Sequence, residues 1–561
     1  MRPERAHHVP SSRNEAALRK LLLRLDGSPY PAYKSLLGEW ELDSDIKLAF
    51  NHIQGDPFAA PSNIQIVVPI KMPNIIYSDR AGIEAAEDWI LRQIGTLLQC
   101  SRRGSGKSGL IQIYQPGPEV VERSSVRLLN KDYVLFRLQI GLPASGRRIR
   151  GQAAIQTLFN DLVPAVKKVH PNQLLLQHVQ SVRRQRYIRE ALVPHNLIAF
   201  IENGSILPRK NGVSQTPLND AIPFQAPSSL TVSLPTPWGM VHGLGFAKGI
   251  TLIVGGGYHG KSTVLQALSR GHLDHVPGDG REGVVALSDT VKIRAEDGRY
   301  ISGVDVSTFL STLPGGRDTQ CFHTEDASGS TSQAAAIIES VEAGACTLLM
   351  DEDTCATNLL VRDAQMRALI PECSEPITPL VDRIQQMSQL WNVSTIMVVG
   401  GIGAYLSVAS QVIAMDHFVP RDVTGKAKAV SAPHSVYGLP LHPVCPRIPA
   451  SKMWTIRKIQ ARDRRHISFD KRILDVSSVE QILDKSQAST IGQAIRFVYE
   501  ELVNGSRDLS KILDALEAIL DDEGIEALSP YPQPRGGLIR PRRFEVAAAL
   551  SRYREFSIIA P

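Results

Sequence analysis

The sequence predicts an α/β protein of more than one domain, and three observations carry that reading. The chain has 561 residues, too many for a single hydrophobic core. Residues 251–268, TLIVGGGYHGKSTVLQAL, run from an apolar β-branched strand through a glycine-rich turn into a helix. Residues 347–352, TLLMDE, form a second apolar strand that ends in two adjacent acids.

The first 27 residues are rich in arginine and could be read as a targeting leader. Glu4 and Glu15 interrupt that pattern, and Leu18, Leu21, Leu22 and Leu25 recur at helical spacing, so the expectation is the first helix of a domain. Six scattered cysteines show no Cys-x-x-Cys spacing, which argues against a zinc site and for a reducing compartment. No run of eighteen apolar residues spans a membrane. The expected location is intracellular, in the cytoplasm, with the mitochondrion as the alternative.

Between residues 15 and 208 strands (NIQIVVPI, YVLFRLQIGLP) alternate with helices (AGIEAAEDWILRQIGTLLQ, GQAAIQTLFNDLVPAVKKV, NQLLLQHVQSVRRQRYIREAL). A Gly-Lys-Ser at residues 106–108 lies in this region, but a helix precedes it and a strand (GLIQIYQ) follows, the reverse of a phosphate loop. It is read as a tight basic loop. Its functional alternative is contact with a polyanion through Arg102, Arg103 and Lys107, with glycines allowing close approach. The stretch 209–229 is rich in Pro, Ser and Asn and reads as a linker. The expected domains are 1–228, an N-terminal α/β domain; 229–420, a central nucleotide domain; and 421–561, a small basic α+β domain that begins in a turn-rich stretch at VTGKAKAV.

In the central domain Gly255 and Gly260 occupy the glycine positions of G-x-x-x-x-G-K-[ST]. The loop of Gly255, Gly256, Gly257, Tyr258, His259 and Gly260 would present N–H groups to phosphates at a helix N-terminus, with Thr263 in the first turn. Lys261 would reach the β- and γ-phosphates and Ser262 would ligate Mg²⁺. Asp351 would hold the same metal, and Glu352 would polarise the attacking water as general base. ATP and Mg²⁺ are therefore the expected cofactors. Ser328, Gly329 and Ser330 open a predicted helix just ahead of the acidic strand, where small hydroxyls make an anion site.

The order of phosphate loop, Ser-Gly helix and Asp-Glu strand resembles the ABC-class ATPases. With HIQGDPFAAPS, VKIRAEDGR and PRRFEVAAALSR, the likeness spans nearly the whole chain and narrows to a family of soluble ABC-class ATPases. The resemblance implies a central P-loop NTPase (ABC-type) domain between an N-terminal α/β domain and a small C-terminal domain. It also implies a homodimer in which Ser328, Gly329 and Ser330 of one copy face the γ-phosphate on Lys261 of the other. Three departures stand out. The signature reads Ser-Gly-Ser-Thr, Asn358 replaces a usual Asp, and the strand STIMVVGG ends in Gly400-Gly401 where the class carries a His near the γ-phosphate. His259 is a substitute by proximity alone. Glu296 or Asp297 could reach the metal through water, or pair with Arg294 or Arg299. Trp238, Phe246 and Tyr258 are candidates for adenine stacking.

Lys and Arg total 62 against 56 Asp and Glu, a mild excess, so clustering matters more than the sum. Clusters occur at Arg147, Arg148 and Arg150; at Arg183, Arg184, Arg186 and Arg189; at Arg457, Lys458, Arg462, Arg464 and Arg465; and at Arg540, Arg542 and Arg543. Each alone reads as a solvated face; together they suggest contact with RNA or DNA. The leading expectation is a dimeric ATP switch gripping such a partner. The competing expectations are an ATP-locked scaffold, a transporter motor and a small-molecule kinase. The flanking domains and missing His argue against the transporter motor, and the signature-like helix argues against the kinase.

Overall fold

A computed structural model describes residues 13–559, except 44, 99–100, 213, 312, 314, 371–373 and 433–440. Residues 1–12 of the arginine-rich start, Cys100 and Cys373 lie outside the described residues. The chain forms two compact units: residues 13–182 with 529–539, and residues 183–528 with 540–559. The division falls inside one helix, Gln173–Leu192.

The first unit is an antiparallel sheet in the order Gly38–Asp43, Ile46–His52, Ser62–Pro69, Tyr133–Ile140 and Ile111–Gln112, with Val126–Leu128 also on Tyr133–Ile140. Ile64, Ile66 and Val68 alternate into its core, the period of a half-buried strand. The expected helices appear at Glu15–Arg24 and Arg80–Leu97, while the expected strand GLIQIYQ shrinks to Ile111–Gln112.

The second unit is built on a six-stranded sheet ordered Thr290–Ile293, Thr347–Asp351, Ser394–Val398, Ile250–Val254, Gln411–Asp416 and Val419–Asp422. All neighbours are parallel except the last pair, which forms a hairpin. The central strands read as continuous apolar runs because both faces are covered. On one face Val264, Leu265 and Leu268 of helix Lys261–Arg270 pack with Leu349, Ile396 and Ile413. On the other, Ala334, Ala335, Ile337 and Ile338 of helix Gly329–Glu342 pack with Leu348, Met350 and Met397.

Beyond residue 420, VTGKAKAV, the expected start of a turn-rich region, itself holds a short helix, Thr424–Val430. Helix Lys485–Phe497 begins where it does because the Asp484 carboxylate accepts the N–H groups of Ser486 at 2.7 Å and Gln487 at 3.0 Å.

Helix Gly329–Glu342 is fixed by charge as well as packing. Glu339 and Glu342 are buried on it, and both are paired. Arg447 donates from Nη2 to Glu342 at 2.7 Å and from Nη1 to the Ser302 carbonyl at 3.1 Å. Arg299 pairs with Glu339 and donates to the Ser332 carbonyl at 3.2 Å. Burial alone would raise the Glu339 carboxyl; the guanidiniums of Arg299 and Arg447 overcome it and hold it below the usual range. A depressed carboxylate contributes stability above its unfolded pKa and loses it as pH falls through the folded value. Removing one partner strands a buried charge. Arg447→Ala is therefore expected to destabilise the second unit by about 3–5 kcal/mol, read by denaturant unfolding at pH 7, with the deficit shrinking as the pH falls below about 4.

Candidate functional site

Three loops leave the carboxyl edge of the parallel sheet. The first follows Ile250–Val254 and carries residues 255–260 into helix Lys261–Arg270. Gly255 has φ 137°, and a Cβ there would collide with the Met415 carbonyl, so only glycine fits. Gly260 caps the helix at φ 95°. Tyr258, a non-glycine at φ 62°, is held in the left-handed region with its ring fully exposed. The Lys261 ammonium is turned back onto the loop, donating to the carbonyls of Gly255 at 2.8 Å and Gly256 at 2.7 Å. A lysine resting on two neutral carbonyls is available to an anion, and the helix N-terminus beside it favours one. Ser262 is exposed and Thr263 half-buried in the first turn.

The second loop follows Thr347–Asp351. Asp351 is buried and accepts the Asp353 N–H at 3.3 Å. Glu352 stands half-exposed beyond it, and its Oε2 accepts two backbone N–H groups, from Gly400 at 2.7 Å and Gly401 at 3.1 Å. Those glycines open the third loop, just after Ser394–Val398, the strand between those that lead into the phosphate loop and the acidic pair. The diglycine that reads in sequence as a missing His is thus the anchor of the carboxylate. Cys355 follows closely; burial pushes its thiol up to about 12, and it packs against the core.

His259 turns to the hairpin of Gln411–Asp416 and Val419–Asp422. Its ring lies 4.5 Å from that of His417, and its Nδ1 accepts the His417 N–H at 3.3 Å. His417 and Phe418 make the two-residue turn at φ 47° and 69°, a tight connection that glycine usually supplies. Phe246 is fully buried in the core, and Trp238 packs edge-on against Tyr187 at 5.6 Å. Glu296 pairs with Arg552 at 2.9 Å, and Arg294 with Glu480 at 2.9 Å, so neither expected pairing of Glu296 forms.

Ser328 caps helix Gly329–Glu342, with its hydroxyl 3.4 Å from that of Ser330 and 3.1 Å from that of Thr331. Gln333, which sequence reasoning missed, accepts the Ala356 N–H at 2.7 Å and so ties this helix to the loop after Glu352. Among the described residues no group of three or more His, Cys, Asp or Glu could hold a metal alone. One hydroxyl and one carboxylate, from Ser262 and Asp351, suit Mg²⁺ only if phosphate oxygens and water complete the shell.

The basic residues sort by partner. Arg184 pairs with Glu202, and Arg186 with Asp274 at 2.8 Å; Arg183 is half-buried and partnered. Arg103 pairs with Asp161 at 2.7 Å, whereas Arg102 and Lys107 are exposed. The glycines of that loop make their close approach to the protein's own backbone, Gly104 to Ala144 and Gly106 to Pro57. Arg464 and Arg465 are exposed.

Three family models match the chain. One for a P-loop domain, ABC_ATPase, covers residues 171–439; one for the N-terminal region of ATPases of the ABC class covers 15–172; one for the MRB1590 C-terminal domain covers 458–559. The uncharacterized protein MJ1628 of Methanocaldococcus jannaschii is 34% identical over 217 residues, 37% of this chain. The match spans 48% of MJ1628, about half its length. Among solved structures, an inward-facing transporter of the metal-chelate ABC type shares 11% identity at a TM-score of 0.24, over 40% of this chain and 83% of the other. The ADP form of MJ1267, an ATP-binding cassette of an ABC transporter, shares 11% at 0.25, over 42% and 94%. Likenesses this loose carry no argument about function. No helix among the described residues is long and apolar enough to cross a membrane.

The two kinds of glycine in the loop separate by substitution. Gly257 has open space around a Cβ, so Gly257→Ala is expected to leave melting temperature and binding of a fluorescent ATP analogue near wild type. Gly255→Ala is expected to cost about 2 kcal/mol or more and to abolish binding in the same assay.

Proposed function

The chain belongs to the ABC class of P-loop ATPases, and from that premise we propose that it hydrolyses Mg-ATP and couples hydrolysis to opening of a homodimer that holds a nucleic-acid partner. The observation that carries the reading is the position of Glu352 one strand away from the phosphate loop, on a carboxylate already oriented by two fixed donors.

Residues 255–260 and the first turn of Lys261–Arg270 would cradle the triphosphate, with Lys261 leaving its two carbonyls for the phosphates. Bound Mg²⁺, on Ser262 and near Asp351, would neutralise charge developing on the phosphoryl oxygens. Glu352 would accept the proton of the attacking water, so the Gly400 and Gly401 amides act as positioning groups that fix where its lone pairs point. Ser328, Gly329 and Ser330 of one copy would close on the phosphates held by the other, and Gln333 would report that closure to the loop after Glu352. Each copy's contacts stabilise only the closed state, which is what lets a small ligand shift a two-state equilibrium. The exposed Arg102, Lys107, Arg464 and Arg465 support the nucleic-acid half of the reading.

Glu352→Gln is expected to keep ATP affinity within about threefold of wild type while turnover falls by about 10²-fold or more. With ATP, the same variant should elute as a dimer and hold its nucleic acid. Wild type and variant with equal, negligible turnover and equal partner release would instead identify an ATP-locked scaffold. Lys261→Ala should lose binding itself, measured by equilibrium dialysis with labelled ATP.

A further inference from the structure

Residues 452–458 and 469–472, with Tyr499, Tyr553 and Glu555, line an open cavity of about 720 Å³ that lies outside the nucleotide site. Its floor is aromatic: Trp454, Phe469, Tyr499 and Tyr553 all line it. The Trp454 ring is half-buried, 5.5 Å from Tyr499 at an interplanar angle of 35° and 6.0 Å from Phe469 at 77°. The indole N–H is satisfied internally, donating to the Ile456 carbonyl at 3.0 Å. Trp454 therefore lines the cavity with an indole that has no hydrogen-bonding demand of its own.

The rim is cationic. Lys452, Arg457, Lys458, Lys471 and Arg472 line it against only two carboxylates, Asp470 and Glu555. Both carboxylates are engaged. Glu555 takes Lys452 and Arg472, and Asp470 accepts the backbone N–H groups of Lys458 at 2.9 Å and Arg457 at 3.4 Å. The side chains of Arg457, Lys458 and Lys471 are exposed and make no ion pair with any described residue. The strand His466–Phe469 separates Lys471 at one end from the exposed Arg464 and Arg465 at the other, so cationic groups run on along this sheet.

An aromatic lining beside three cations without an ion-pair partner, Arg457, Lys458 and Lys471, matches a flat aromatic group carrying phosphate. We propose that this cavity takes an unpaired base of a single-stranded nucleic acid, stacked on Trp454 with its flanking phosphates held by Arg457, Lys458 and Lys471. A duplex cannot use it, because its bases are stacked on one another and present only their edges. The inference rests on the nucleic-acid half of the function proposed above and is independent of the ATP site. Stacking reads no base edge, so the site would bind with little sequence preference.

The test uses the full-length protein and a fluorescein-labelled uridine 15-mer, followed by anisotropy over a series of salt concentrations. Trp454→Ala should weaken binding about tenfold or more, while Trp454→Phe stays within about threefold of wild type. Lys458→Glu, on an exposed side chain that the fold does not need, should weaken binding and flatten the salt dependence. Binding of a fluorescent ATP analogue, unchanged in all three variants, shows that they are folded. A duplex of equal length should compete poorly, and uridine monophosphate should not compete at equal nucleotide concentration. Wild-type affinity for the 15-mer in both Trp454→Ala and Lys458→Glu overturns the pocket and leaves the proposed function standing. Full competition by the mononucleotide overturns it in favour of a free-nucleotide site. A wild-type protein that binds no single strand even at low salt overturns both the pocket and the nucleic-acid partner.

Discussion

The parallel pairing of Ile250–Val254 between Ser394–Val398 and Gln411–Asp416 is the constraint on which the candidate site depends. Parallel strands that share a sheet deliver their outgoing loops to one edge. The phosphate loop, the Asp351-Glu352 turn, the diglycine and the His417-Phe418 turn all meet there, although 250 and 418 are far apart in the chain. The hydrogen bond from the Phe418 N–H to the His259 carbonyl, at 3.2 Å, joins two of these loops directly. Slipping one strand by a residue would turn its apolar side chains over and separate loops that now touch.

Features with a local cause were legible in the sequence. A strand, a glycine turn and a helix in immediate succession specify a phosphate loop, and the apolar run ending in Asp351-Glu352 specifies a strand tip. Features made from distant backbone or distant charges were not. The anchor of Glu352 lies 48 and 49 positions away and consists of amides, which leave no side-chain signature beyond two glycines. Arg184 and Arg186 read as a basic face because their carboxylates, Glu202 and Asp274, are 18 and 88 positions off. The aromatic floor of the C-terminal cavity draws on residues as distant as Trp454 and Tyr553, for the same reason.

Helix Gly329–Glu342 shows a related limit. Its acids at 339 and 342 are both buried and neutralised by Arg299 and Arg447, neither of which lies on the helix. A buried ion pair seldom adds net stability over an apolar pair of similar size. What it does here is fix one arrangement. Ser302, Ser332 and Ser551 also bind these guanidiniums, so the helix that begins at Ser328 has one rotation and one depth in which every charge is met. The direction in which Ser328 and Gly329 face follows from that.

An imidazole that donates to a carboxylate gains and loses its own proton near neutrality, so a mild change in acidity alters what it can donate. The amides of Gly400 and Gly401 ionise nowhere in that range. A protein that holds this carboxylate with main chain keeps the same two donors in an acidified compartment as in an alkaline one. Almost every amino acid exchanged into those positions would carry the same N–H with it, and proline alone would not.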